Sequence, residues 1–115
     1  MARRFCQRAW LKPDKVKEYR ELHANVWPDV LKTIAECNLC NYSIAILDTL
    51  VVSTFEYTGT DYDADMQRME ADPVTQLWWT HTKPCFIGHE EGIYYEDMEE
   101  IFRFEGGTKG GTNED

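Results

Sequence analysis

Hydrophobic and polar residues alternate from the start of the chain. Phe5, Gln7, Ala9 and Leu11 fall on one side and Arg4, Cys6, Arg8 and Trp10 on the other; this period of two predicts a strand over 2–11. Pro13-Asp14 closes the strand and suits the first turn of a helix. The period then lengthens. Val16, Tyr19, His23 and Val26, followed by Val30, Leu31, Ile34 and Ala35, recur at helical spacing as far as Asn38. Pro28 interrupts that run, either kinking one helix or starting a second directly behind it. Two β-rich runs follow at 41–47 and 50–57. Tyr42, Ile44 and Ile46 share a face of the first, and Val51, Ser53, Phe55 and Tyr57 share a face of the second. Asp48-Thr49 between them reads as a tight hairpin turn, although it lacks the glycine such turns prefer.

Gly59 ends the hairpin, and residues 61–70 read as a helix with Met66 and Met69 inward. Asp72-Pro73 is a restart signal, with Asp as N-cap and Pro in the first helical position. The helix behind it carries Val74, Leu77, Trp78 and His81 at helical spacing, with Trp79 beside them. Residues 84–97, with Gly88 and Gly92, read as a loop. Met98, Glu100, Phe102 and Phe104 then alternate with Glu99, Ile101 and Arg103 as a last strand. The order is β-α-β-β-α-β, an α+β, ferredoxin-like arrangement whose antiparallel sheet has both helical units on one face. Bulky residues such as Trp10 and Val52 occupy the other face too. A second copy packed sheet to sheet is the expected cover, which makes the protein a homodimer.

A chain of 115 residues has room for one core. Residues 1–104 are expected to form a single domain, and 105–115 a Gly-rich acidic tail that is disordered. Twelve basic against 21 acidic residues leave a formal charge of −9. That balance argues against nucleic acid or an anionic membrane as partner, because a phosphate backbone needs clustered Lys and Arg. The charged N-terminus has no apolar run behind it, and no segment approaches the roughly 20 apolar residues of a membrane span. The expected location is the cytoplasm, where Cys6, Cys37, Cys40 and Cys85 stay reduced.

Chemistry narrows to a few positions. His23, His81 and His89 lack the spacing of a metal site, so no zinc or iron is expected. Cys37-Asn38-Leu39-Cys40 is formally C-x-x-C, but it lies at a helix C-terminal end, where the dipole does not favour a thiolate. Tyr19, His23 and Trp27 are four residues apart and stack on one helix face. A histidine there is either a core residue with satisfied nitrogens or a proton-transfer group between aromatic walls. Trp78 and Trp79 lie about 100° apart on their helix, so they either divide between core and surface or wall a cavity. Tyr42 lies on the strand face that meets the first helix. One imidazole, two phenols and two indoles, with no Gly-rich phosphate loop and no Arg cluster, make a small uncharged pocket suited to a neutral monosaccharide.

Four motifs in this order, Y-R-E-L-H-A-N-V-W-P-D (19–29), N-Y-S-I (41–44), D-P-V-T-Q-L-W-W (72–79) and M-E-E-I-F-R-F (98–104), carry a resemblance over residues 3–104 to the L-rhamnose mutarotase family. Within that resemblance, D-Y-D-A-D-M (61–66) and the M-E-E-I-F ending look more like relatives assigned to L-fucose. The resemblance implies a dimeric α/β barrel that needs no cofactor. It implies that His23 is the catalytic proton donor and that Tyr19, Tyr42, Trp78 and Trp79 contact substrate. The implied reaction interconverts α and β pyranose anomers of a 6-deoxy-L-hexose, L-rhamnose or L-fucose, through the open-chain aldehyde. Histidine suits that proton traffic, since the residue type ordinarily titrates at about 6.5. The group at the anomeric hydroxyl is either the Tyr19 phenol or a water. Two other activities fit the same barrel: a small cofactor-free monooxygenase, and a non-catalytic sugar-binding module.

Overall fold

In a computed structural model, which describes residues 3–92 and 94–105, the alternating N-terminal run forms strand β1 (Arg3–Trp10). A single 3-10 turn at Pro13–Lys15 leads into helix α1 (Val16–Ala24). Pro28 forces Trp27 into extended backbone (φ −63°, ψ 134°) and occupies the first turn of a separate helix α2 (Pro28–Glu36). The proline therefore restarts the helix rather than kinking it. Asn38, at φ 68°, takes the left-handed position just past that helix. Strands β2 (Leu39–Leu47) and β3 (Leu50–Tyr57) form the expected hairpin. Asp48 takes φ 54° in the turn, a conformation that Asp tolerates better than most residues. Helices α3 (Tyr62–Ala71) and α4 (Pro73–Thr82) follow, and the Asp72 side chain accepts from Thr75 N at 2.8 Å as their sequence signal required.

The sheet runs β2-β3-β1-β4 with every pairing antiparallel. This is the anticipated α+β arrangement, each helical unit being split in two at a proline. Phe5 pairs with Phe55, Gln7 with Ser53 and Ala9 with Val51, so the residues assigned to inner faces do share one face. Ala9, Leu11, Tyr19, Val51, Cys85 and Phe86 make one buried cluster, and Cys37, Leu39, Phe55, Tyr57 and Met69 a second. On that face Tyr42, Phe55 and Phe5 stack in a row across three strands, with centroids 5.1 and 4.8 Å apart.

One expectation fails. The last strand is β4 (Glu96–Asp97), not Met98–Phe104. After Met98 N bonds to Cys6 O, the chain is tied by side chains instead, with Glu100 on Arg4 and Arg103 near Glu56. Alternation in 98–104 is real, but it reports a side-chain pattern and not backbone pairing: β1 runs on past Cys6 to Arg3, and this stretch meets it through the Arg4–Glu100 ion pair rather than through a ladder. Ile101, Phe102 and Phe104 stay 88, 80 and 74% exposed. Leu77 and His81 also point outward, leaving Trp78 as the buried member of that helical set. The tail expected to be disordered lies, from Gly106 on, outside the described residues.

Candidate active site

Tyr19 and His23 project from consecutive turns of α1, and their rings lie 4.3 Å apart. The imidazole Nδ1 is 2.9 Å from the Tyr19 carbonyl oxygen. A carbonyl can only accept, so Nδ1 carries the proton in this bond. Nε2 takes no hydrogen bond among the described residues. Trp78 stands nearly perpendicular to the imidazole, with ring centroids 5.5 Å apart, and closes one side of it, and Trp27 packs against Trp78 in turn at 5.1 Å. Trp27 is placed by Pro28, so the helix break holds the wall behind His23.

Tyr42 reaches the same space because of a β-bulge. Between Cys40 and Ser43 strand β2 holds one residue more than β3 opposite it, and Asn41 sits there at φ 50°. A bulge reverses the in–out parity of the strand. Leu39 before it and Tyr42, Ile44 and Ile46 after it all face the helices in consequence. Ser43 instead faces outward and shares a 2.8 Å hydrogen bond with Thr54. Trp78 is buried, while Trp79, one position on, is half-buried with the Lys83 ammonium 3.8 Å above its ring.

All five sequence-predicted site residues, Tyr19, His23, Tyr42, Trp78 and Trp79, line one cavity of about 250 Å³. A second, more apolar space of about 500 Å³ adjoins it and shares His23, Tyr42, Trp78 and Trp79. The structure adds Lys83, Phe86, Tyr94 and Tyr95 to the first wall. Sequence reasoning passed over Phe86, Tyr94 and Tyr95 because 84–97 reads as loop, and over Lys83 because it falls past the last residue of the helical pattern. That loop is tied down at one end, where Phe86 bridges to Leu11 and Ile87 N bonds to Trp10 O. Phe86 then supports both tyrosines, at 5.2 and 5.3 Å. An adjacent aromatic pair, Tyr94-Tyr95, echoing Trp78-Trp79, was the available signal.

The phenols are held neutral. Burial, then the neighbouring phenols of Tyr95 and Tyr42, push the Tyr19 pKa far up. Burial does the same to Tyr42, whose hydroxyl is desolvated although 42% of the residue is exposed. Tyr94 is pushed to about 12, again by burial. Burial raises Tyr95 too, against the neighbouring hydroxyls of Ser53 and Tyr19, which favour its anion. Ser53 Oγ meets no partner at good hydrogen-bond geometry among the described residues, although Tyr95 is close enough to feel it. A water or ligand hydroxyl would satisfy it. Burial also lowers the Lys83 pKa, with Glu70 opposing. The arrangement offers one imidazole for proton transfer, several neutral hydroxyls as donors and acceptors, and aromatic faces for C–H groups.

Comparison with known proteins points to one family. A family model described as L-rhamnose mutarotase matches residues 4–104. The L-rhamnose mutarotase of Lactiplantibacillus plantarum is 26% identical over 103 residues, covering 89% of this chain and 98% of that protein. That of Phocaeicola vulgatus is 32% identical over 80 residues, covering 69 and 75%. In fold, the crystal structure of an L-rhamnose mutarotase from Formosa agariphila matches with a TM-score of 0.71 at 17% identity, covering 90% of this chain and 99% of that one.

Proposed function

Because the chain belongs to the L-rhamnose mutarotase family, we propose that it interconverts the α and β pyranose anomers of a 6-deoxy-L-hexose, with L-rhamnose the first candidate and L-fucose the second. The observation that carries this reading is the Nδ1–Tyr19 hydrogen bond, which leaves Nε2 of His23 as the exchanging nitrogen at a cavity of sugar size. In the cationic state Nε2–H gives its proton to the ring oxygen while the anomeric hydroxyl loses one. The bond from the anomeric carbon to the ring oxygen breaks and the aldehyde forms. Rotation of the aldehyde and reclosure on its other face return a proton to Nε2, so the imidazole serves as acid in one direction and base in the other.

The acceptor for the anomeric proton is a water in this account. A phenol held as strongly neutral as Tyr19 is a poor base and a good hydrogen-bond partner. Tyr19 and Tyr42 hold sugar hydroxyls, and Trp78 and Trp79 wall the C–H faces and the methyl group. Their roles rest on placement around one cavity together with the family membership.

We also place the protein as a homodimer, in the cytoplasm. Supporting the dimer is the outer sheet face with Trp10 and Leu47 and the exposed Ile101, Phe102 and Phe104 beside it, an apolar surface that a second copy would cover. No helix among the described residues is long and apolar enough to cross a membrane. Saturation-transfer NMR on L-rhamnose, L-fucose and L-galactose with added protein tests the function and ranks the sugars. Transfer between anomeric protons at the buffer rate for all three would remove it.

A further inference from the structure

Lys83 has no counterpart in a mechanism built for a neutral sugar. It follows α4 directly, its ammonium sits 3.8 Å above the Trp79 ring, and it lines the same cavity as His23. Among the described residues no Asp or Glu lines that cavity or the adjoining one, although the chain carries 21 acidic residues. Among the described residues, none of the ion pairs involves Lys83. The Glu70 carboxylate acts on Lys83 only from a distance, without an ion pair, so an ammonium that has lost part of its water and rests on an aromatic face has no contacting carboxylate among the described residues and is electrostatically incomplete. The surrounding groups are neutral hydroxyls, which tolerate an anion and cannot neutralise the cation. A ligand carboxylate placed beside the sugar ring would complete the pairing.

We infer that Lys83 is a substrate-binding residue that extends the cavity to sugars bearing a carboxylate, the aldohexuronic acids, which the protein mutarotates alongside neutral sugars. The carboxylate replaces the terminal methyl or hydroxymethyl group and meets the ammonium over Trp79. His23 handles the anomeric centre as before. No atoms are gained or lost beyond the ring-opening and closing already described. This inference rests on the mutarotase reading for its activity, but on Lys83 alone for its charge preference.

The test compares L-rhamnose with L-mannuronate, its counterpart carrying a carboxylate at C6, in wild type, Lys83→Met and Lys83→Arg. Anomer exchange is measured by NMR and binding by ligand line broadening. Wild type is expected to exchange the uronate, with a KM that rises with ionic strength while that for rhamnose does not. Lys83→Met should lower the uronate-to-rhamnose ratio of kcat/KM at least tenfold, and Lys83→Arg should restore most of it. A ratio unchanged in Lys83→Met, or rhamnose exchange without uronate exchange in wild type, overturns the inference and leaves the mutarotase reading intact. Uronate binding that depends on Lys83, with no exchange of either sugar, keeps the anion site and removes the mutarotase reading instead.

Discussion

The imidazole Nδ1 of His23 donates to the carbonyl oxygen of Tyr19, one turn earlier on α1, at 2.9 Å. One residue thus orients the catalytic candidate with its backbone and walls the cavity with its side chain. The two contributions are separable. Tyr19→Phe keeps the carbonyl and the ring but removes the hydroxyl, so the imidazole stays oriented. Anomer exchange is expected to fall about tenfold, in line with the loss of one hydrogen bond of about 0.5–1.5 kcal/mol, with thermal stability close to wild type. Steady-state exchange kinetics beside a melting curve check this, and unchanged kinetics would mean that the phenol does not touch the sugar.

The two indoles are expected to divide their work. Trp78 is 6% exposed and packs on both His23 and Trp27, so Trp78→Ala should cost about 3–5 kcal/mol of stability. Trp79 is half-buried on the cavity wall under Lys83, so Trp79→Ala should mainly raise the KM for sugar. Urea titrations and exchange assays on the pair of variants read the difference, and a reversed pattern would reassign the sugar-facing indole.

Asn41 decides which way Tyr42 points. Its φ of 50° disfavours β-branched side chains, so Asn41→Val should destabilise by about 1–2 kcal/mol, while Asn41→Gly should be close to neutral. Deleting Asn41 removes the bulge and turns Tyr42, Ile44 and Ile46 outward or forces the strand to slip. Denaturation midpoints and sugar binding measured together check all three changes; a deletion variant with normal binding would show that the bulge does not place Tyr42.

Local signals were legible where chemistry acts within a few residues. Pro28 restarting a helix, Asp72-Pro73 capping one, and the inner faces of β1 and β3 all follow from short-range rules. The helix face carrying Tyr19 and His23, and the nearby Tyr42 and Trp78-Trp79, could be brought together once the strand–helix order was read. The bulge at Asn41 was not legible as such, because its existence depends on the register of β3 opposite. Tyr94 and Tyr95 were missed because contacts between Phe86 and Leu11, far apart in the chain, anchor their loop. The last strand was misplaced because alternation shows which residues could pair and not whether the two backbones come together in a ladder.

Acid stability should carry the signature of Asp65, beside the capping Asp72 and the ion-paired Glu90, whose pKa values are also lowered. Asp65 accepts from the Tyr57 hydroxyl at 2.5 Å and from Asn38 at 2.9 Å, and these bonds, Tyr57 first, hold its pKa below the ordinary 3.8. The unfolded chain therefore takes up this proton at a higher pH than the folded one. Its stabilising contribution is fully present above about 3.8 and is lost as pH falls through the lower folded value. Asp65→Asn should flatten the decline of the urea midpoint on acidification over that range, relative to wild type. Equal slopes in the two proteins would show that the Tyr57–Asp65 bond does not persist in solution.

The proposed reaction turns on Nε2 of His23 carrying the proton. Saturation-transfer NMR on L-rhamnose, run at equal concentrations of wild type and a folded His23→Ala variant, addresses it directly. Wild type should transfer saturation between the α and β anomeric protons well above the buffer rate, and His23→Ala should lower that enhancement about 10²–10⁴-fold while still broadening the sugar's lines on binding. Exchange in His23→Ala equal to wild type would contradict the account.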